Sequence, residues 1–304
     1  MIVTVLGSAA GGGFPQANCN CRNCADVRAG RPGLQRRTQS GLAVSADGLS
    51  WVLLNASPDL RAQVEATPAL NPRGDKGPRS SPICAVVLTN GDVDHVAGLL
   101  SLREGIRFDL LASDRVLAAL AANPIFNVLD DARVRRLALP LDASVQMPGL
   151  TVEAFAVPGK IALYLEDAGA GANLGTQAGD TLGLKVTDAA SGAAFLYIPG
   201  CAAVDAALAK RLAGADLVLF DGTLYTDEEM IAQGLSAKTG RRMGHMPMSG
   251  ADGSMAAFAA LNVRRRIYLH MNNSNPVLRE DSAERAAVEQ AGWEVAFDGM
   301  EIRL

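Results

Sequence analysis

"ICAVVLTNGDVDHVAGLL", residues Ile83 to Leu100, changes its hydrophobic period midway. Its first half is a short apolar, β-branched run of the kind that forms a buried strand. Its second half sets Val96, Leu99 and Leu100 three or four residues apart, the spacing of one helix face. Between the two stand Asn90, Asp92, Asp94 and His95, all able to ligate a metal or orient a ligand. Polar groups at such a junction gather at a sheet edge, where loops leave room for an ion and a substrate.

Working outward, "IVTVLGS", "GLAVSADG" and "WVLLNAS" precede this stretch as further strands bounded by Gly, Asn, Asp and Ser. Behind it, "SDRVLAALAANPIF" reads as a helix capped by Ser113. Strand patterns return in "LTVEAFAVPG", "LGLKVTD", "AAFLYIPG", "ADLVLFDG" and "RRIYLHMNN". Helices "VDAALAKRLAG", "GSMAAFAALN" and "SAERAAVEQAG" lie between or after the later ones. A strand-rich first half followed by alternating strand and helix predicts an α/β (α+β) protein with sheets covered by helices. No linker divides residues 1–304, so one domain is expected. Residues 71–82 and the glycine-rich 167–180 read as loops. "GSAAGGGFP" lacks the Lys-Ser/Thr ending of a phosphate loop and reads as a tight turn.

The chain has 304 residues, 49% of them hydrophobic, and a formal charge of −4. No apolar stretch approaches the roughly 20 residues that span a bilayer, so no membrane insertion is expected. The opening "MIVTVLGSAAGGG" suits a first strand better than a signal peptide, which makes a cytoplasmic location the expectation. The acidic balance gives no overall attraction to nucleic acid. The basic runs Arg36-Arg37, Arg135-Arg136, Arg241-Arg242 and Arg264 to Arg266 read as solvated faces, any of which could still meet a carboxylate-bearing substrate.

Three of the five cysteines, Cys19, Cys21 and Cys24, fall within "NCNCRNC". That spacing lets three thiolates converge on one ion, and zinc favours a closed tetrahedral sulfur and nitrogen set in structural sites. Cys84, Cys201 and His245 are available as the fourth ligand, and His245 is the expected one. Cys84 and Cys201 otherwise read as core or loop thiols.

The three histidines are His95, His245 and His270. His95 follows the strand "CAVVLTN", His270 ends "RRIYLH", and Asp221 ends "ADLVLFD". Asp94, His95, Asp221 and His270 are therefore expected to form one strand-edge metal site.

"TNGDVDHVAGL" resembles the H-x-H-x-D-H-x-x-G signature of the metallo-β-lactamase superfamily, and "LFDG" and "LHMNN" resemble its bridging Asp and final His. With "NCNCRNC", "GHMPMSG", "NNSNPVL" and "GWEVAFDGMEI", the likeness is to the family of B proteins of pyrroloquinoline quinone (PQQ) biosynthesis. It implies an αββα sandwich, and a cysteine cluster similar to the zinc site of related phosphodiesterases. Asn90 and Asp92 replace the two leading histidines, and Gly159 and Lys160 stand where a later loop would bring a third. The first metal site has thus lost its imidazoles, and a two-metal hydrolytic clamp is not expected. What remains is two histidines and a carboxylate, the ligand set of non-haem Fe(II) oxygenases.

The resemblance implies an Fe2+-dependent, dioxygen-using hydroxylase acting on a tyrosine-derived Glu-Tyr precursor, with Asp92 handling phenolic protons and Lys160 or Arg241 receiving substrate carboxylates. A peptide-derived small molecule is the expected partner, with other PQQ-biosynthesis proteins as candidates. The alternatives are a carrier assisting transport of PQQ or its precursor to the periplasm, and a metal-dependent hydrolase.

Overall fold

The apolar runs of the two halves become two seven-stranded sheets. The computed structural model describes every residue except Gly171, Ala172 and Leu174, so the loop expected at 167–180 lies partly outside the described residues. The first sheet takes β1 (Ile2–Gly7), β2 (Gly41–Ser45), β3 (Trp51–Leu54), β4 (Ile83–Val87), β5 (Phe108–Ala112) and β6 (Val134–Ala138). The second takes β7 (Ser144–Met147), β8 (Leu150–Ala156), β9 (Leu182–Asp188), β10 (Ala194–Ile198), β11 (Leu217–Asp221), β12 (Arg265–Leu269) and β13 (Trp293–Val295), and β14 (Glu301–Arg303) returns to pair with β1.

Alternation along the strands divides the apolar side chains between two faces. One face of each sheet, with Val3, Val5, Leu42 and Leu54 from the first and Leu184, Val186, Leu217 and Leu219 from the second, forms a shared buried layer. The opposite faces carry separate clusters under the helices, around Leu53, Val86 and Leu110 on one side and Phe220, Tyr268 and Trp293 on the other. Each fully buried Leu or Val contributes roughly 1.5–3 kcal/mol over an exposed one. The architecture is the expected αββα sandwich.

Two stretches of parallel pairing position the site. β3 to β6 run parallel, as do β10 to β13, so the C-terminal ends of β4, β11 and β12 share an edge with the loops that follow them. Asp221 is in register with Leu269, which sets His270 one residue beyond it on the neighbouring strand.

The helical segment expected after Asp94 is a single α-turn, Val93–Val96, continued by a 3-10 turn, Ala97–Leu102. Val96 and Leu99 are buried as expected. Gly98 lies so close to the preceding chain that an added Cβ would meet Ser57 O at 2.1 Å, so this segment lies directly on the Ala56–Ser57 backbone. Ser113 caps its helix, accepting a hydrogen bond from Val116 N at 3.2 Å. No helix among the described residues is long and apolar enough to cross a membrane.

Candidate metal centre

Asn90 Oδ1 accepts hydrogen bonds from Asp92 N at 3.0 Å and from His95 Nδ1 at 2.8 Å. The backbone donor fixes which end of the amide is oxygen, so Nδ1 of His95 carries the proton and Nε2 carries the lone pair. That Nε2 is buried and has no hydrogen-bond partner among the described residues. Burial keeps the ring neutral, pushing its pKa down to about 4 even with Asp94 beside it. A buried, neutral imidazole that presents a bare nitrogen has the chemistry of a metal ligand. Asn90, at the position of a lost histidine, orients the surviving one.

His270 follows β12 in a left-handed conformation, with φ of 59°. Its Nδ1 lies 2.9 Å from Thr223 Oγ1, and its Nε2 lies 3.1 Å from Asp94 Oδ2. The Thr223 hydroxyl has one proton, and the acceptor-only carboxylate of Asp221 takes it at 2.6 Å. His270 Nδ1 must then donate to Thr223, which leaves its Nε2 lone pair facing Asp94. Two acceptors at that separation need a cation between them, a proton or a metal ion. Burial opposes charge on His270, but the hydrogen bond and negative charge of Asp94 raise its pKa above the ordinary value. Burial likewise works against the Asp94 carboxylate, yet the neighbouring histidines hold its pKa well below the usual range. Asp94, His95 and His270 bring one donor atom each within 4.8 Å of one another, so these residues fit a single ion.

Asp221 is drawn into a second group, with His245 and His270. Both its oxygens are occupied: Oδ1 accepts from Thr223 N and Oγ1, and Oδ2 accepts from Cys201 N at 2.9 Å and His245 Nδ1 at 2.7 Å. Burial would raise its pKa, but His245 and the surrounding donors hold it down. Asp221 thus orients both neighbouring rings, directly and through Thr223.

His245 is therefore not beside the thiols, and its assignment as their fourth ligand is corrected. Met246 N donates to Cys201 O at 2.7 Å and Met248 N to Leu224 O at 2.9 Å, which ties the His245 loop to the ends of β10 and β11. The ring stacks on His270 with centroids 5.3 Å apart. Cys19, Cys21 and Cys24 do converge within 4.8 Å, and the group facing all three sulfurs is the Asn273 carboxamide, at 3.1, 3.6 and 3.4 Å. Burial and the neighbouring sulfurs push the Cys24 thiol up to about 12, whereas the Cys21 backbone and other donors hold Cys19 below its ordinary value despite burial. A cation bound there would draw all three to thiolates.

The histidines and Asp94 open into a cavity of about 450 Å³, lined also by Gly11, Asp92, Lys160, Leu163, Glu166, Lys238, Arg242 and Met243. Asp92 lies on its wall: Oδ1 accepts from Leu163 N at 3.3 Å and lies 3.9 Å from Lys160 Nζ. Burial pushes the Asp92 carboxyl up, Lys160 opposes this, and the Asp94 charge adds to it. The early glycine turn lies over the site, and a Cβ on Gly11 would come within 3.3 Å of Asp94 Oδ2. Arg241, expected to receive substrate, instead pairs with Asp252 and the Ala202 carbonyl, and its neighbour Arg242 lines the cavity.

A family model described as a beta-lactamase superfamily domain matches residues 50–271. Coenzyme PQQ synthesis protein B of Gluconacetobacter diazotrophicus is 53% identical, with 98% of each chain covered. The crystal structure of Zn(2+)-bound PqqB from Methylobacterium extorquens is 50% identical, covers 100% of both chains and superposes with a TM-score of 0.95. A diphosphatase of the PhnP family shares the fold alone, at 20% identity and a TM-score of 0.68, with 100% of this chain and 97% of that one covered. By sequence along its whole length and by fold, the chain belongs to the coenzyme PQQ synthesis protein B family, within the metallo-β-lactamase superfamily.

Proposed function

We propose that the protein serves PQQ biosynthesis as a non-haem iron-dependent hydroxylase of a tyrosine-derived precursor that carries the cross-linked Glu-Tyr unit. The observation that carries this reading is the bare, buried Nε2 of His95 beside His270 Nε2 and Asp94, a two-histidine, one-carboxylate set. Asn90 stands where a two-metal hydrolase needs an imidazole, and its amide oxygen is committed to His95. An Fe2+ ion held by Asp94, His95 and His270 would supply redox chemistry towards dioxygen, which zinc in the same place would not.

The chain's own groups have separate tasks. Asn90 and Thr223 hold the two ligating rings in the tautomer that presents Nε2. Asp92, with its raised pKa, accepts a phenolic proton from the substrate at the cavity wall. Hydroxylation replaces a ring C–H with C–OH using one atom of dioxygen, the other leaving as water with two electrons and two protons from an external reductant. Zn2+ at Cys19, Cys21 and Cys24 serves a structural role, a reading supported by the convergence of the three thiols and by the zinc-bound relative.

The test is anaerobic loading with Fe(II), addition of a Glu-Tyr peptide and ascorbate, exposure to isotopically labelled dioxygen, and mass analysis. Label in the tyrosine ring, abolished by His270→Ala, is expected. An unlabelled peptide that the loaded protein nevertheless binds would overturn the hydroxylase and favour a carrier.

A further inference from the structure

The mouth of the cavity holds more positive charge than the metal centre requires. Lys160, Lys238 and Arg242 line it, and Lys160 and Arg242 converge on one carboxylate, Glu166, that belongs to none of the three metal-ligand groups. Arg242 grips it with both terminal nitrogens, NH1 to Oε1 at 3.1 Å and NH2 to Oε2 at 2.9 Å, and Lys160 Nζ lies 3.8 Å from Oε1. Glu166 ends a short strap, Ile161 to Glu166, that crosses the cavity. Among the described residues its other hydrogen bonds to the metal loop are Leu163 N to Asp92 Oδ1, and Tyr164 Oη donating to Gly91 O at 2.9 Å. Ile161 and Ala162 anchor the start of the strap by burial, but Leu163, Tyr164 and Leu165 are exposed, so little apolar burial holds the part that leads to Glu166. A planar guanidinium fork backed by an ammonium is a carboxylate receptor, and here an element of the chain occupies it.

We propose that Arg242 and Lys160 form a carboxylate-binding subsite beside the metal centre, and that Glu166 is its internal occupant, displaced by a carboxylate of the substrate. The inference rests on the proposed function only for the choice of probe. A substrate with a free carboxylate exchanges one charge-assisted pair for another, so binding costs no unpaired cation and releases the strap to repack over the bound molecule. A neutral ligand of the same shape leaves Glu166 in place.

The test uses protein loaded with Zn2+, which binds without turnover, and calorimetric titration with N-acetyl-L-glutamyl-L-tyrosine and with its uncharged analogue N-acetyl-L-glutaminyl-L-tyrosine amide. Glu166→Gln is expected to tighten the acid about three- to tenfold and leave the amide unchanged, because the internal competitor is gone. Arg242→Ala is expected to weaken the acid about tenfold, the scale of one charge-assisted bond, again without effect on the amide. Arg242 is partly exposed, and both variants should keep the parental melting temperature. If Glu166→Gln leaves the acid unchanged, or weakens acid and amide alike, Glu166 is a latch holding the strap and the subsite is refuted. Absence of binding by every variant refutes it as well. Failure of ring labelling with this pattern intact removes the hydroxylase and keeps the subsite, whereas labelling without the Glu166 effect removes the subsite alone.

Discussion

Replacing Thr223 with Val should loosen the metal centre without touching a ligand. The hydroxyl donates to Asp221 at 2.6 Å, accepts from His270 Nδ1 at 2.9 Å, and lies 3.1 Å from His245 Nδ1 and 3.0 Å from His270 O; valine matches its shape while removing all of these contacts. Asp221 keeps donors from Thr223 N, Cys201 N and His245, so the group left unpaired is the His270 N–H. Leaving such a buried donor unsatisfied costs about 1–3 kcal/mol. Loss of a hydrogen-bond partner behind a ligating histidine typically weakens metal binding by about 10–100-fold. The assay is competition for Zn2+ against a chromogenic chelator, with the cysteine cluster already saturated, alongside calorimetric unfolding of the same samples. If Thr223→Val binds as tightly as the parent while His270→Ala does not bind, the hydrogen-bond assignment that fixes the His270 tautomer is refuted.

Three other perturbations have definite outcomes. Asn90→Ala removes the acceptor of His95 Nδ1–H and should weaken strand-edge metal binding by about tenfold, read by the same competition; unchanged affinity would mean the ring orients itself. His245→Ala should retain one zinc per chain at the cysteines and Cys24→Ser should lose it, measured by elemental analysis after dialysis; loss of that zinc from His245→Ala would restore the sequence-based ligand set. Burial raises the Glu229 carboxyl from 4.5 to about 7, so the folded state holds a proton that the unfolded chain releases. That contribution is present in full below the unfolded value and is lost as pH rises through 7, amounting to roughly 3 kcal/mol at about 1.4 kcal/mol per pH unit. Glu229→Gln should therefore flatten the fall in unfolding free energy between pH 5 and 7, and a slope equal to the parent's would contradict the assignment.

What could be read from the sequence follows the physics of burial. Strands buried between neighbours announce themselves as apolar runs, and β4, β9 and β11 lie where their patterns put them. Five strands escape notice: β5 is an inner one whose short "FDLLA" runs straight into the helix capped by Ser113, and β6, β7, β13 and β14 are the outer strands of the two sheets. Such edges carry charges and broken alternation, as "VRRLA" does, because one side lacks a partner. Asp94, His95 and His270 were legible because each adjoins the end of a recognisable strand. Thr223 was not, since nothing in "FDGTL" distinguishes a hydroxyl that links two rings from one in an ordinary loop. His245 went to the wrong site because ligand spacing says which residues suit a metal, while the packing that ties its loop to Cys201 and Leu224 is long-range. The Arg241-Arg242 pair shows the same limit at one-residue resolution: identical side chains, one turned to Asp252 and the other to the cavity.

Diffraction at the iron absorption edge, on crystals loaded anaerobically with Fe(II), distinguishes one working metal from two. A single strand-edge peak is predicted, within about 2.0–2.3 Å of His95 Nε2, His270 Nε2 and an Asp94 oxygen, the range expected for nitrogen and oxygen ligands. A second peak beside Asn90, Asp92 and Gly159 would contradict the account and return the protein to the two-metal hydrolases of its superfamily.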